Sequence, residues 1–151
     1  NIAGLKLEDP IQEAKAHAIL QSVQDLFLPL NPAVNFAVGD DFVKRRDDML
    51  PFLQTRFEEL EKIINLNGGR FFIDDTPRAC DFAVFHHLDL SRKLDGKIIK
   101  EFPRLEKFLD DIASLSSIES YLSERPELID VSIEPKLVIN GKAHPTGTVK
   151  T

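Results

Sequence analysis

Apolar positions along the chain recur mostly every three or four residues, which is the period of a helix packed on one side. The first such stretch begins at Asp9-Pro10, because aspartate caps a helix start and proline suits the first helical position. We expect this helix to run to about Leu28, where Pro29 and Pro32 stop it. The apolar stripe predicted to face the core consists of Ile11, Ile19, Val23, Leu26 and Leu30.

A second helix is predicted from Asp40-Asp41 to Asn67-Gly68, because an asparagine–glycine pair is a typical helix end. Pro51 lies inside this stretch and cannot donate the helical hydrogen bond, so we expect a kink or a split there. The apolar residues that define the helical period are Phe42, Met49, Phe52 or Leu53, Phe57, Leu60 and Ile64.

Residues 67–90, NGGRFFIDDTPRACDFAVFHHLDL, predict a helix in the middle of the domain, because apolar residues lie nearly all round it. Asp81 falls in the first turn, where it can accept hydrogen bonds from free amides and meets the positive end of the helix dipole. We therefore interpret Asp81 as a structural anchor of this helix. Arg78 occupies the capping position and cannot accept a hydrogen bond, which makes Thr76, before Pro77, the candidate cap.

Two shorter helices are predicted to follow. Phe102-Pro103 opens the first, with an apolar face made of Leu105, Phe108, Leu109, Ile112 and Leu115. Ser116-Ser117-Ile118-Glu119 fits a capping box for a short last helix through Tyr121 and Leu122, which Arg125-Pro126 ends.

The last stretch, residues 126–151, changes character. Its apolar residues alternate and Asn140-Gly141 is a hairpin signal, but Pro145 and Gly147 disfavour the return strand. We favour an extended tail packed over the helices, with a hairpin as the lesser alternative. The predicted fold class is all-α, a bundle of about five helices with an extended C-terminal tail.

Length and composition narrow the functional classes. The 151 residues predict a single domain, residues 1–151, and a net charge of −6 argues against a nucleic-acid partner. A single cysteine excludes an internal disulfide and fits a reducing compartment. We find no apolar run of membrane-spanning length and no signal peptide. The chain opens at Asn1 without an initiator methionine, so we expect a fragment or a processed chain.

The residues with metal-binding or nucleophilic side chains form no recognisable site. Cys80 lies on the central helix without a base at a suitable spacing and is interpreted as a small buried hydrophobe. His86 and His87 are adjacent, hence roughly 100° apart on a helix, so one is expected in the core and the other at its edge. His17 and His144 have no partner at ligand spacing, and we predict no metal site.

The whole chain resembles the C-terminal domain of cytosolic glutathione transferases, closest to the sigma, pi and alpha group. The most specific part is NGGRFFIDD, residues 67–75, followed by Asp81 and FAVFHHLDL, residues 82–90. Supporting segments are EDPIQEAKAHAILQSVQDLF, residues 8–27, and FPRLEKFLDDIASLSSIESYLSERP, residues 102–126. The family's core helix usually starts with Ser or Thr, two residues and then Asp, so Arg78 is a departure.

The resemblance implies that the parent protein conjugates reduced glutathione, its co-substrate, to small hydrophobic electrophiles. The hydroxyl that stabilises the glutathione thiolate belongs in this family to an N-terminal thioredoxin-like domain, of which this sequence contains no part. We therefore expect no catalytic residue in this chain and no activity from it alone. The family further implies a cytoplasmic homodimer formed through the full-length protein.

Asp25 is the residue to which the resemblance assigns glutathione binding. In related classes an acid at this helix position crosses the dimer interface and contacts the glutamyl amino group of glutathione on the other subunit. A carboxylate suits an ammonium group, and the small residues Ala14, Ala18 and Ser22 permit a close approach. Gln24, one helical step away, is expected to assist. The alternative is an ordinary surface acid on an amphipathic helix.

The family's electrophile pocket lies between the end of its first helix and its C-terminal tail. This resemblance makes Leu28, Phe36, Asn140 and Gly141 the candidates, although ordinary packing or a turn is an alternative for each.

A different function is also compatible with the pattern. Relatives in this superfamily use the same domain as a non-catalytic scaffold or protein-assembly module, and the missing first domain favours that alternative.

Overall fold

The computed structural model describes residues 7–147. This part of the chain forms six α-helices, a short 3-10 helix and a small antiparallel sheet, which confirms the all-α class with one helix more than expected. The helices are α1 Pro10–Gln24, α2 Phe27–Phe36, α3 Gly39–Asn67, α4 Ala79–Leu94, α5 Pro103–Ala113 and α6 Ser116–Glu124, with the 3-10 helix Ile98–Glu101 before α5. The strands are β1 Glu127–Ile129, β2 Lys136–Ile139 and β3 Lys142–Pro145.

Helix α4 is the centre of the domain, as its apolar circumference predicts. It packs against α1, α2, α5 and the 3-10 helix, so little of its surface is left for solvent. The apolar faces predicted for α3 and α5 are also buried, except that Leu115 lies beyond α5 and is half-buried. Of the two alternatives on α3, Leu53 is buried and Phe52 is exposed. The buried residues of α4 are Cys80, Asp81, Val84, Phe85, His87, Leu88, Ser91 and Leu94.

The first predicted helix is divided in two, so the boundary at Leu28 was wrong. Helix α1 ends at Gln24, and α2 continues to Phe36 with both prolines inside. Pro29 is tolerated because it lies in the first turn of α2, where amides have no helical acceptor. The bond that Pro32 cannot donate would end on Leu28, an exposed residue where water can replace it.

Ile11 was wrongly assigned to the buried stripe of the first helix. Asp9 caps α1 as predicted, its Oδ1 accepting the amide of Ile11 at 2.8 Å, but the Ile11 side chain is 68% exposed. Eight residues separate Ile11 from Ile19, which rotates it roughly 80° away from the buried face. The other four members of the stripe are buried.

Two further helix boundaries differ from the prediction. Helix α3 runs through Pro51 as one element of 29 residues, because Pro51 is exposed and its missing bond affects only the solvent side. Helix α6 starts at Ser116 with Leu115 as its cap, so the serine does not cap it. The Leu115 carbonyl accepts the amides of Ile118 and Glu119, both at 2.8 Å, which begins the helix one residue earlier.

The tail forms the hairpin that we considered the lesser alternative, within a sheet of order β1-β2-β3. Asn140 and Gly141 both have positive φ, 50° and 73°, as a two-residue turn of this kind requires. Pro145 pairs with Lys136 and is the last residue of β3, which is an edge strand. Proline is tolerated in an edge strand because no further strand needs its missing amide proton. Among residues 7–147, no helix is both long and apolar enough to span a membrane.

Candidate functional site

Asp81 ties the loop before α4 to the helix start. Its side chain is fully buried, with Oδ1 accepting the Phe72 amide at 2.9 Å and Oδ2 accepting the Arg78 amide at 2.7 Å. Arg78 is the cap residue through its backbone, so the assignment of the cap to Thr76 was wrong. Burial raises the pKa of the Asp81 carboxyl, while these two backbone hydrogen bonds act against the rise.

Asp25 lies directly after α1, as the residue that ends this helix. Its side chain is 72% exposed, and its nearest cation is Arg56 of α3, with Oδ2 and Nη2 separated by 3.9 Å. Gln24, the last residue of α1, is also exposed. The carboxyl end of α1 disfavours a negative charge there, whereas the amino end of α2, which begins at Phe27, favours it.

Arg56 is a residue that the sequence reasoning missed. Its side chain is 20% exposed and joins α3 to the end of α1, because Nη2 donates to the Ser22 carbonyl at 2.6 Å. Nη1 donates to Glu59 at 2.8 Å. The contact links positions 34 apart, and nothing in the local sequence around Arg56 signals it.

The small residues preceding Asp25 remain largely uncovered by this chain. Ala14 and Ala18 are exposed, and Ser22 is half-buried beside Arg56. The helix that ends at Asp25 therefore presents small, largely exposed side chains on this face.

The four electrophile-pocket candidates do not all line one cavity. Leu28 is 78% exposed on α2, whereas Asn140 and Gly141 form the exposed turn between β2 and β3. Phe36 borders a cavity of about 170 Å³ between the end of α2 and the tail, whose lining does not include the other three. The side-chain hydroxyl of Thr146 donates to the Asn35 carbonyl, which holds the tail against α2 beside Phe36.

A larger cleft lies where the tail meets the helices, and sequence reasoning did not predict it. It measures about 650 Å³, a size typical of small-molecule sites. Helices α2, α4 and α6 and the strands β1 and β2 supply its walls, so residues distant in sequence create it. Polar groups on its surface include Asn31, Asn35, His86, Lys93 and Tyr121.

Two further titratable groups, Cys80 and His87, lie in the core. Cys80 is buried, and burial together with the Asp81 charge raises the pKa of its thiol to about 12, so it is not a nucleophile at neutral pH. His87 is in the core and His86 is exposed, as predicted for adjacent residues. Burial, with a smaller effect from His86, lowers the pKa of His87 to about 4. Residues 7–147 contain no group of three metal-binding side chains.

Two curated proteins are similar to this chain over most of its length. One is named "Probable glutathione S-transferase 6" and comes from Caenorhabditis elegans, with 23% identity over 128 residues. The other is a glutathione S-transferase of Plasmodium yoelii yoelii, with 26% identity over 129 residues. The matches cover 82% and 85% of this chain, but only 62% and 58% of those proteins.

Solved structures have the same fold. A pi-class glutathione S-transferase of Onchocerca volvulus superposes with a TM-score of 0.72 at 20% identity, covering 82% of this chain and 59% of that one. The glutathione S-transferase Blo t 8 gives a TM-score of 0.71 at 18% identity, covering 81% of this chain and 57% of that one. The family model of the glutathione S-transferase C-terminal domain matches residues 31–125, from α2 to the end of α6. This chain therefore belongs to the glutathione S-transferase C-terminal domain family.

Proposed function

We propose that this chain is the helical domain of a glutathione transferase that conjugates reduced glutathione to small hydrophobic electrophiles. Family membership and the names of the two curated relatives support the transferase assignment. The full protein supplies the thiolate-stabilising hydroxyl from another domain, because the chain spans about three-fifths of those relatives. The chain by itself does not catalyse the reaction.

The setting of Asp25 is the observation that carries the proposal. The carboxylate is exposed between α1 and α2, with one cation at 3.9 Å, and contributes little to folding. An acid that the fold leaves open to solvent suits a ligand from outside the fold. The ammonium group of glutathione bound to a second subunit fits it, with Gln24 beside it and the small exposed side chains of Ala14 and Ala18 allowing approach.

Helix α2 and the tail form the electrophile side of this proposed site. Leu28 and Phe36 expose apolar side chains that suit a hydrophobic substrate, and the tail is hydrogen-bonded to α2 next to Phe36. Asn140 and Gly141 extend the tail surface as the turn of its hairpin. The parent protein is a cytoplasmic homodimer in this account, since Asp25 would serve the other subunit's glutathione.

A scaffold or assembly module is the second candidate function. The open surfaces of α1 and α2 would serve a protein partner as well as a small substrate, since exposed apolar side chains suit both. Asp25 favours the enzyme, because a scaffold has no need for an exposed acid at that helix end.

Two measurements on the full-length protein separate these functions. An enzyme is retained on immobilised glutathione and conjugates a chloronitrobenzene, which is followed by absorbance. A scaffold does neither, although it is folded by circular dichroism. Retention without conjugation of several electrophiles would also contradict the transferase proposal.

A further inference from the structure

We propose that Asn140-Gly141 is a site of self-modification, at which the asparagine deamidates through a cyclic imide with the following glycine. The sequence holds a second pair of the same kind, Asn67-Gly68. The two pairs have the same side chains, but one lies in an exposed turn and the other at a hydrogen-bonded helix end. The fold therefore decides which asparagine reacts.

The reaction needs an accessible amide nitrogen and a mobile side chain. The Gly141 nitrogen attacks Cγ of Asn140, the new N–Cγ bond forms, and the Cγ–Nδ2 bond breaks. Nδ2 leaves as ammonia with the proton from the glycine nitrogen. Water then opens the imide at Cγ, giving aspartate, or at the backbone carbonyl, giving isoaspartate. Glycine favours the attack because it carries no side chain to hinder its nitrogen.

Asn140-Gly141 meets these requirements. Both residues are exposed in the hairpin turn, and a side chain placed on Gly141 would meet no atom within 4 Å. The pair Ile139–Lys142 closes the turn, which leaves the Gly141 amide outside the ladder. Within residues 7–147, no group forms a hydrogen bond with the side-chain amide of Asn140.

Asn67-Gly68 is held in an unreactive arrangement. Asn67 is the last residue of α3, and its side-chain amide donates to the Phe72 carbonyl. The nucleophile is occupied as well, because the Gly68 amide donates to the Ile64 carbonyl at 3.3 Å and caps the helix. Reaction at Asn67 therefore requires local opening of the helix end.

Modification at Asn140 changes the tail. Isoaspartate inserts a side-chain carbon into the backbone, which a two-residue turn with paired positions on both sides does not accommodate. The pair Leu137–His144 lies three positions from the turn residues on each strand, and Leu137 lines the 650 Å³ cleft. Formation of isoaspartate should loosen β2 and β3 and alter that wall of the cleft.

The test compares the two sites in one molecule. The full-length protein is incubated at mildly alkaline pH, folded or in denaturant, then digested and mapped by mass spectrometry with isoaspartyl methyltransferase labelling. We expect modification at Asn140 to exceed that at Asn67 by at least roughly tenfold in the folded protein. In denaturant the two sites should react alike. Equal rates in the folded protein, or no product at Asn140 while the denatured chain reacts, would overturn the proposal.

Two variants complete the test. Asn140→Gln should remove the product at this turn and leave Asn67 unchanged, because the longer side chain does not form the five-membered imide readily. Asn140→Asp adds the charge without the extra backbone carbon, so it should keep the hydrogen-exchange protection of residues 136–145 that the aged protein loses. Equal protection in the aged protein and this variant would contradict the predicted effect on the sheet.

Discussion

Two aspartates of this chain lie at helix ends in opposite settings. Asp81 is buried at the amino end of α4, and both of its oxygens accept backbone amides. Asp25 is exposed between the carboxyl end of α1 and the cap of α2, and faces one arginine at 3.9 Å. Asp81 therefore has a role in folding, whereas we propose that Asp25 binds a ligand.

Replacing Asp81 tests its role as an anchor. Asp81→Ala leaves two amides without acceptors, one of them in the core, and should lower the free energy of unfolding by about 2–4 kcal/mol. Urea denaturation followed by circular dichroism measures this change. Asp110→Ala removes an exposed acid from α5 and serves as the control, with a change within about 0.5 kcal/mol. Equal effects of the two variants would refute the anchor.

His87 should make the stability depend on pH. Its pKa falls from 6.5 to about 4 on folding, so the unfolded chain binds the proton more tightly. The contribution of His87 to the free energy of unfolding is therefore fully present above pH 6.5. It is lost as the pH falls towards 4, by up to about 3 kcal/mol. Denaturation midpoints measured across this range should show the loss.

Two histidine variants isolate the contribution of His87. His87→Phe should flatten the profile between pH 6.5 and 4, because the ring remains apolar at every pH. His144→Asn, which changes an exposed histidine of β3, should keep the slope of the unmodified protein. A slope that survives in His87→Phe would show that another group causes it.

At the scale of elements, the sequence predicted those whose signal is local. The faces of α3, α4 and α5 follow from residues three and four apart, and the Asp9 cap from its neighbours. The division between α1 and α2 was missed. Two prolines indicate the end of a helix, but they do not show whether a new helix begins before them and contains both. The Arg56–Ser22 contact and the tail cleft depend on tertiary packing, which no local pattern encodes.

Helix α3 offers a test at this scale. Pro51→Ala supplies an amide for the carbonyl four residues earlier and should stabilise the protein by about 1 kcal/mol. Pro103→Ala is the matched control, because Pro103 is the first residue of α5, where the missing amide has no consequence. The midpoint of thermal unfolding should be higher for Pro51→Ala than for the unchanged protein. For Pro103→Ala it should be equal to or lower than that of the unchanged protein. The reverse order would mean that Pro51 shapes the packing of α3.

At the scale of the whole molecule, the chain is a helical domain with an apolar core and exposed functional candidates. Leu28 and Phe36 face outward on α2, and Asp25 faces outward at the end of α1. The chain covers about three-fifths of its curated relatives, so the proposed chemistry needs surfaces that the remaining part of the protein provides. Helix α4 orders the domain, and α1 and α2 present its candidate site.

The most direct test of the account is a calorimetric titration of reduced glutathione into the full-length protein and two variants. Asp25→Ala should weaken binding by roughly tenfold or more, since it removes a charge-assisted hydrogen bond to the glutamyl ammonium. Asp110→Ala removes the same charge from α5 and should bind like the unchanged protein. Equal affinity of Asp25→Ala and the unchanged protein would contradict the assignment of Asp25, and no binding by the unchanged protein would contradict the transferase itself.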